Sequence, residues 1–186
     1  FFGGSLGRTI DLSCAIVYMG GSYMGEKARQ FLKRACGVLA SILIAEGVGV
    51  LAALLSRGGF EQYADLAKPA FAPPGWVFFP VWFVLYALMG WAAYRVWRKP
   101  SLGSRLEGLI YYGLQLALNF LWPILFFRFE MRGLAFLELA SLFILVLMSL
   151  ERFYQTDKWA GGLMAPYALW SAYALVLNGA LWFLNQ

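Results

Sequence analysis

The chain contains no histidine at all. Histidine is the commonest metal ligand and the side chain that most readily exchanges a proton near neutrality, so a His-ligated haem and a Ser-His-Asp triad are excluded. Cysteine is nearly absent too. Cys14 and Cys36 are far apart and lack metal-ligand spacing, which argues against a disulfide framework. Charge is scarce: Asp, Glu, Lys and Arg make up 13% of the 186 residues, about half of what a soluble domain carries. A soluble core of this size would lack the polar side chains to cover its surface. There is no basic cluster interleaved with stacking aromatics, so the net charge of +5 does not point to nucleic acid. Internal repeats and low-complexity tracts are also missing.

What remains is apolar, 61% of the chain. Five stretches each come near the roughly 20 residues needed to cross a bilayer: Ala35–Ser56, Trp76–Trp97, Leu106–Phe127, Gly133–Leu150 and Ala160–Leu184. Charge or turn residues break them at Arg57-Gly58-Gly59, Arg98-Lys99-Pro100, Arg128 to Arg132 and Thr156-Asp157-Lys158. Backbone polar groups in lipid must be satisfied within the segment, so these spans are expected to be helices. The reading is an all-α membrane protein, a five-transmembrane-helix bundle over residues 35–186. Residues 1–34 are set apart as an N-terminal extension. Phe1-Phe2-Gly3-Gly4 is an odd start, Leu12–Tyr18 is too short to span, and Met24-Gly25-Glu26-Lys27 looks more like a natural beginning.

Five crossings would put the termini on opposite sides of the membrane. Lys and Arg then divide unevenly: eleven fall on the N-terminal side, and Arg57, Lys68, Arg128 and Arg132 on the other. The positive-inside rule makes the N-terminus cytoplasmic. The C-terminus and the long first loop, Arg57 to Gly75, are then expected outside.

Three helix faces carry polar or aromatic residues at helical spacing: Trp82, Tyr86 and Gly90; Gln115, Asn119 and Trp122; Trp170, Ala174 and Asn178. Intramembrane amides belong inside the bundle. Such faces serve interhelical hydrogen bonding and aromatic packing, or they line a pocket for a large, flat, mostly apolar ligand with polar edges. Glu46 and Glu138 lie inside spans, where ionisable groups are functional candidates. The first loop ends in a proline-stiffened run, Lys68-Pro69-Ala70-Phe71-Ala72-Pro73-Pro74-Gly75-Trp76. Prolines fix φ there and restrict the preceding residues, giving either a lid over a pocket or a rigid interfacial turn. Ser41, Ala45, Gly49 and Ala53 put a small residue at every fourth position of the first helix. That spacing permits close approach within the bundle or along a dimer seam.

The run from Lys68 through Val77-Phe78-Phe79-Pro80-Val81-Trp82, followed by Leu85-Tyr86 and Met89-Gly90, resembles the translocator protein family. Its bacterial members are the tryptophan-rich sensory proteins, and its animal members the peripheral-type benzodiazepine receptors. Gln115-Leu116-Ala117-Leu118-Asn119 with Trp122 and Phe126-Phe127 is similar to the family's third helix. Pro166-Tyr167 with Trp170 and Leu177-Asn178 is similar to its fifth. The match runs collinearly over about residues 60–186. The resemblance implies a five-helix bundle, usually a homodimer, in contact with membrane lipid. It implies binding of porphyrins such as protoporphyrin IX as ligand with no required cofactor, and of sterol in some members. It ties Trp82 and Trp170 to ligand binding and to light-driven porphyrin degradation, the only catalytic role it suggests. It places Tyr86, Asn119, Trp122 and Ala174 at further pocket positions, Tyr63 as a lid tyrosine, and Glu138 at an acidic position of the fourth helix. The sequence departs from the family at Gln62, where tryptophan is frequent. It departs again after Leu177, where the aromatic-then-basic pattern linked to cholesterol has no Lys or Arg; such patterns are weak in any case.

The function expected is a membrane receptor or sensor for tetrapyrroles, acting in their regulation or in stress responses. The alternatives are a tetrapyrrole transporter and a light-dependent porphyrin-degrading enzyme. A bacterial-type membrane is expected, the inner one favoured over the outer.

Overall fold

The fold was obtained as a computed structural model that describes residues 25–56, 58–100 and 103–186. Of the residues set apart as an extension, 1–24 lie outside that range. The rest continue a helix: α1 runs Glu26–Leu55, nine residues ahead of the expected Ala35. Its first turns are charged, with Glu26, Lys27 and Arg29, and read as polar linker in a hydropathy scan. Helical hydrogen bonding does not require apolar side chains, and Gln30 Nε2 donates back to Glu26 at 3.5 Å. The described residues up to Ala40 belong to one compact unit, and those of Ser41–Gln186 to another.

Within the second unit a short helix, α2 (Gly59–Asp65), follows the end of α1. Gly58 enters it at φ 88°, a left-handed conformation that favours glycine. A single 3-10 turn, Gly75–Val77, leads into α3 (Phe78–Trp97). Helix α4 (Gly103–Pro123) passes into a π-helical turn, Ile124–Arg128. Proline at 123 lacks the amide that an α-helix would use there, and the wider turn follows it. Helices α5 (Arg132–Thr156) and α6 (Lys158–Leu184) complete the chain. The sequence reading stopped the fourth span at Leu150, whereas α5 runs six residues further. Glu151, Arg152 and Gln155 are polar but pair along the helix, Gln155 to Glu151 and Arg152 to Gln155, both at 3.1 Å.

Among the described residues, five helices are long and apolar enough to cross a membrane. Their outward faces stay apolar where a soluble protein would be polar: Leu137 is 61% exposed, Leu169 73% and Val176 63%. This is an integral membrane protein built as an all-α, five-span bundle. Helix α5 packs most extensively against α4 and α6, and α3 packs mainly against α6. Helix α1 approaches α3 through glycine. A Cβ on Gly90 would fall 2.6 Å from the Ile42 Cα, and Ser41 Oγ donates to the Gly90 carbonyl at 2.7 Å. The small-residue face of α1 therefore includes an intramolecular contact at Ser41, and Gly49 likewise abuts the Tyr86 ring.

Candidate functional site

Two of the polar faces read from the sequence, on α4 and α6, meet in the interior through hydrogen bonds that cross between helices; the α3 face joins them through ring contacts. Tyr167 on α6 donates its hydroxyl to Gln115 Oε1 at 2.6 Å, and Asn119 Nδ2 donates to that same hydroxyl at 3.0 Å. One turn along α4, Trp122 Nε1 donates to Asn178 Oδ1 at 2.9 Å, and Asn178 Nδ2 reaches the Arg132 carbonyl at 3.2 Å. These amides are buried and paired, as polar groups in a membrane interior need to be.

Aromatic rings enclose that network. Trp82 packs on Tyr86 with ring centres 5.5 Å apart and meets Tyr167 at 6.2 Å. Trp170 meets Phe78 at 6.1 Å and Tyr173 at 5.3 Å. Trp122 stacks on Phe126 at 5.1 Å and 25°. Tyr86 lies in the principal core cluster, and Trp82, Trp122, Trp170 and Ala174 pack against it, each partly buried. Trp122 also touches the second cluster, which contains Tyr63. Six of the seven expected pocket residues thus fall in or against two adjoining clusters, and the seventh, Asn119, is bonded to Tyr167 of the first. Trp82 and Trp170 each have their own aromatic neighbours. The Trp170 indole Nε1 is buried and has no hydrogen-bond partner.

The proline-rich loop is held by side chains from elsewhere in the bundle. Tyr63 is buried, edge-on to Phe78 at 5.2 Å, and its hydroxyl donates to the Pro73 carbonyl at 2.8 Å. Burial, with the field of Tyr173 added, pushes its phenol above the ordinary range. Lys68 places its ammonium 5.2 Å from the Tyr63 ring centre and donates to the Ala64 carbonyl at 2.6 Å. Pro69 accepts from the Ala72 amide and Pro74 from the Val77 amide, both at 3.0 Å, closing two successive turns. Phe71 and Trp76 are instead exposed, Trp76 at 71%. Phe71 still meets Tyr173, edge-on with ring centres 6.4 Å apart, and its carbonyl accepts from the Tyr173 hydroxyl at 3.0 Å.

Glu138 on α5 is a further buried group of the interior. It is 9% exposed, and neither carboxylate oxygen has a partner. Glu46 likewise has one buried oxygen without a partner.

Tyr167, Tyr173 and Phe78 contact the candidate site residues, while Asn185 bonds only Ala67 and Leu181 outside them; the sequence reading did not select these four. Tyr167 could have been found: Tyr167, Ser171, Ala174 and Asn178 share one α6 face at helical spacing. On the flank between α3 and α6 lies a groove of about 480 Å³ lined by Val81, Leu85, Pro166, Leu169, Trp170 and Tyr173. Of the expected pocket residues, Trp170 is the one that lines it.

A model of the TspO/MBR family matches residues 41–183. The Translocator protein of Bos taurus is 37% identical over 142 residues, covering 74% of this chain and 83% of that protein. The Tryptophan-rich protein TspO of Archaeoglobus fulgidus is 34% identical over 150 residues, 80% of this chain and 96% of its own length. The Tryptophan-rich sensory protein of Cereibacter sphaeroides is 38% identical over 118 residues, 63% and 73% respectively. With the matched region taking in α2 to α5, the second half of α1 and nearly all of α6, this chain belongs to the TspO/MBR family.

Proposed function

We propose that this protein is a membrane receptor or sensor that holds a flat, mostly apolar ligand of the porphyrin class against Trp82 and Trp170. Family membership supports a membrane sensor or receptor of the translocator kind. The observation that carries the finer reading is Trp170. It is a partly buried indole with an unpaired Nε1, beside Phe78 and Tyr173 and packed against the principal core cluster. A ligand with aromatic faces and acceptor atoms at its edge would stack on the ring and accept from that donor. Tyr86, Asn119, Trp122 and Ala174 would complete the walls, and Tyr63 with the Lys68–Trp76 loop the cover.

The test is a titration of protoporphyrin IX into folded, monodisperse protein, followed by tryptophan emission. Binding in the micromolar range or better is expected. Trp82→Ala and Trp170→Ala should each weaken it by about 2 kcal/mol, the scale of a buried aromatic anchor, while exposed Trp159→Ala should not. A flat titration, or unimpaired binding by both alanine variants, sinks the assignment.

Orientation is proposed from charge. With eleven of fifteen Lys and Arg residues on the N-terminal side, that side is cytoplasmic. Alkaline phosphatase fused after Gln186 should be active and the same fusion at the N-terminus inactive; the reverse pattern would overturn the topology.

A further inference from the structure

Two features of the unit Ser41–Gln186 bear on how an apolar molecule reaches its interior. The first is that the loop cover is fastened. Tyr63 holds the Pro73 carbonyl and Tyr173 the Phe71 carbonyl. Asn185 grips Ala67 from both sides, its Oδ1 accepting from the amide at 2.9 Å and its Nδ2 donating to the carbonyl at 3.0 Å. A molecule arriving from water at this face would have to break these contacts together.

The second feature is the groove between α3 and α6. Its lining residues, 81–85 on α3 and 166–173 on α6, lie within two membrane spans, and Tyr173 among them is also one of the loop's fastenings. Leu169 on its rim is 73% exposed, so the groove opens onto acyl chains. Its volume of about 480 Å³ falls in the usual range for ligand pockets, about 300–1,000 Å³. Trp170 belongs both to this groove and to the margin of the interior cluster with Trp82 and Ala174. Its unpaired buried Nε1 adds a reason to place a ligand there, because buried donors are nearly always bonded. A molecule coming from lipid displaces only hydrocarbon, which is as apolar as the leucines it would meet.

We propose that the α3–α6 groove is the side port by which a planar, lipid-dissolved ligand with an acceptor edge reaches the interior, Trp170 forming the inner wall that moves aside. The port rests on the porphyrin-class reading above. The fastened loop then serves to keep water out and is not the route of access.

The experiment measures rates. Protein in lipid nanodiscs is mixed with protoporphyrin IX carried in vesicles, and quenching is followed by stopped flow. Leu169→Trp narrows the rim without touching the interior. It should slow association and dissociation alike, by roughly threefold or more, with Kd within about twofold, the signature of a changed path and not a changed site. Leu169→Ala should speed both. Asn185→Ala, which unfastens the loop, should change neither. Silent Leu169 variants, or acceleration by Asn185→Ala, would overturn the port while equilibrium binding by the parent upheld the ligand reading. A parent that does not bind sinks both.

Discussion

Helix α6 is held at each end by one side chain lying just outside it, and the two fastenings are chemically unlike. At the start is Asp157, whose side chain is 4% exposed. Its carboxylate accepts from the Trp159 and Ala160 amides at 2.9 and 3.2 Å, through both oxygens from Arg95 Nη2 at 3.1 and 2.9 Å, and from Lys99 at 2.9 Å. At the finish is Asn185, neutral and partly exposed, bonded to Leu181 and Ala67. An anion at a helix N-terminus meets the positive end of the dipole as well as free amides. The neutral amide at the C-terminus brings only hydrogen bonds. The charged end joins two transmembrane helices permanently, through residues at or just beyond the end of α3. The neutral end holds a loop by contacts that water can replace.

The largest effect is expected from Asp157→Ala. It removes an N-cap, worth about 1 kcal/mol, and charge-assisted hydrogen bonds worth about 1.5–3 kcal/mol. The Arg95 and Lys99 side chains are 32% and 43% exposed and can rehydrate. The loss should therefore be about 2 kcal/mol, below the 3–5 kcal/mol typical of a fully buried orphan. Thermal unfolding in a fixed detergent measures it, and a variant as stable as the parent would remove the contrast between the ends.

The same residue makes the charged end acid-sensitive. Burial opposes ionisation, but the Lys99 and Arg95 hydrogen bonds, helped by the Ala160 amide and the Arg95 charge, hold the carboxyl at about 2, down from 3.8. A folded-state value below the unfolded one means that the contribution is complete above about pH 4. It is lost as pH falls through about 2. Stability of the parent should drop across that window, and Asp157→Asn should be flatter there. Parallel curves would show that the pairing carries no pH-dependent stability.

The fold was legible where hydropathy is one-dimensional and opaque where it is not. All five spans follow from apolar length alone. Their ends do not, because Glu26–Arg34 and Glu151–Thr156 are polar yet helical, satisfied by pairing along the helix. Helix α2, seven residues between glycine and the proline run, is too short for periodicity to register. In the site, Trp82, Tyr86, Asn119, Trp122 and Trp170 were visible because indoles and amides are conspicuous in apolar helices. Asp157 was read only as a break, although an Asp directly before an apolar helix is an N-cap signal. Asn185 gave no signal, since its partner Ala67 lies 118 residues away and uses only its backbone.

The smallest effect in stability, and the sharpest test of the comparison, concerns Asn185→Ala. Its bonds to Ala67 are neutral and exposed; each such bond contributes about 0.5–1.5 kcal/mol at most, and water replaces part of that. Global unfolding should shift by less than about 1 kcal/mol. Locally the consequence differs. The Ala67 amide loses its acceptor, and the loop keeps only the Tyr63 and Tyr173 contacts beyond it. Segments with few buried contacts open at low free energy, so hydrogen exchange over residues 66–76 should quicken while exchange over α5 stays as in the parent. Asp157→Ala should give the converse pattern, with the quickening at the start of α6 and the end of α3. If Asn185→Ala instead loosens the bundle throughout, the C-terminal fastening is structural in the same sense as the charged one, and the two ends of α6 do not divide their work.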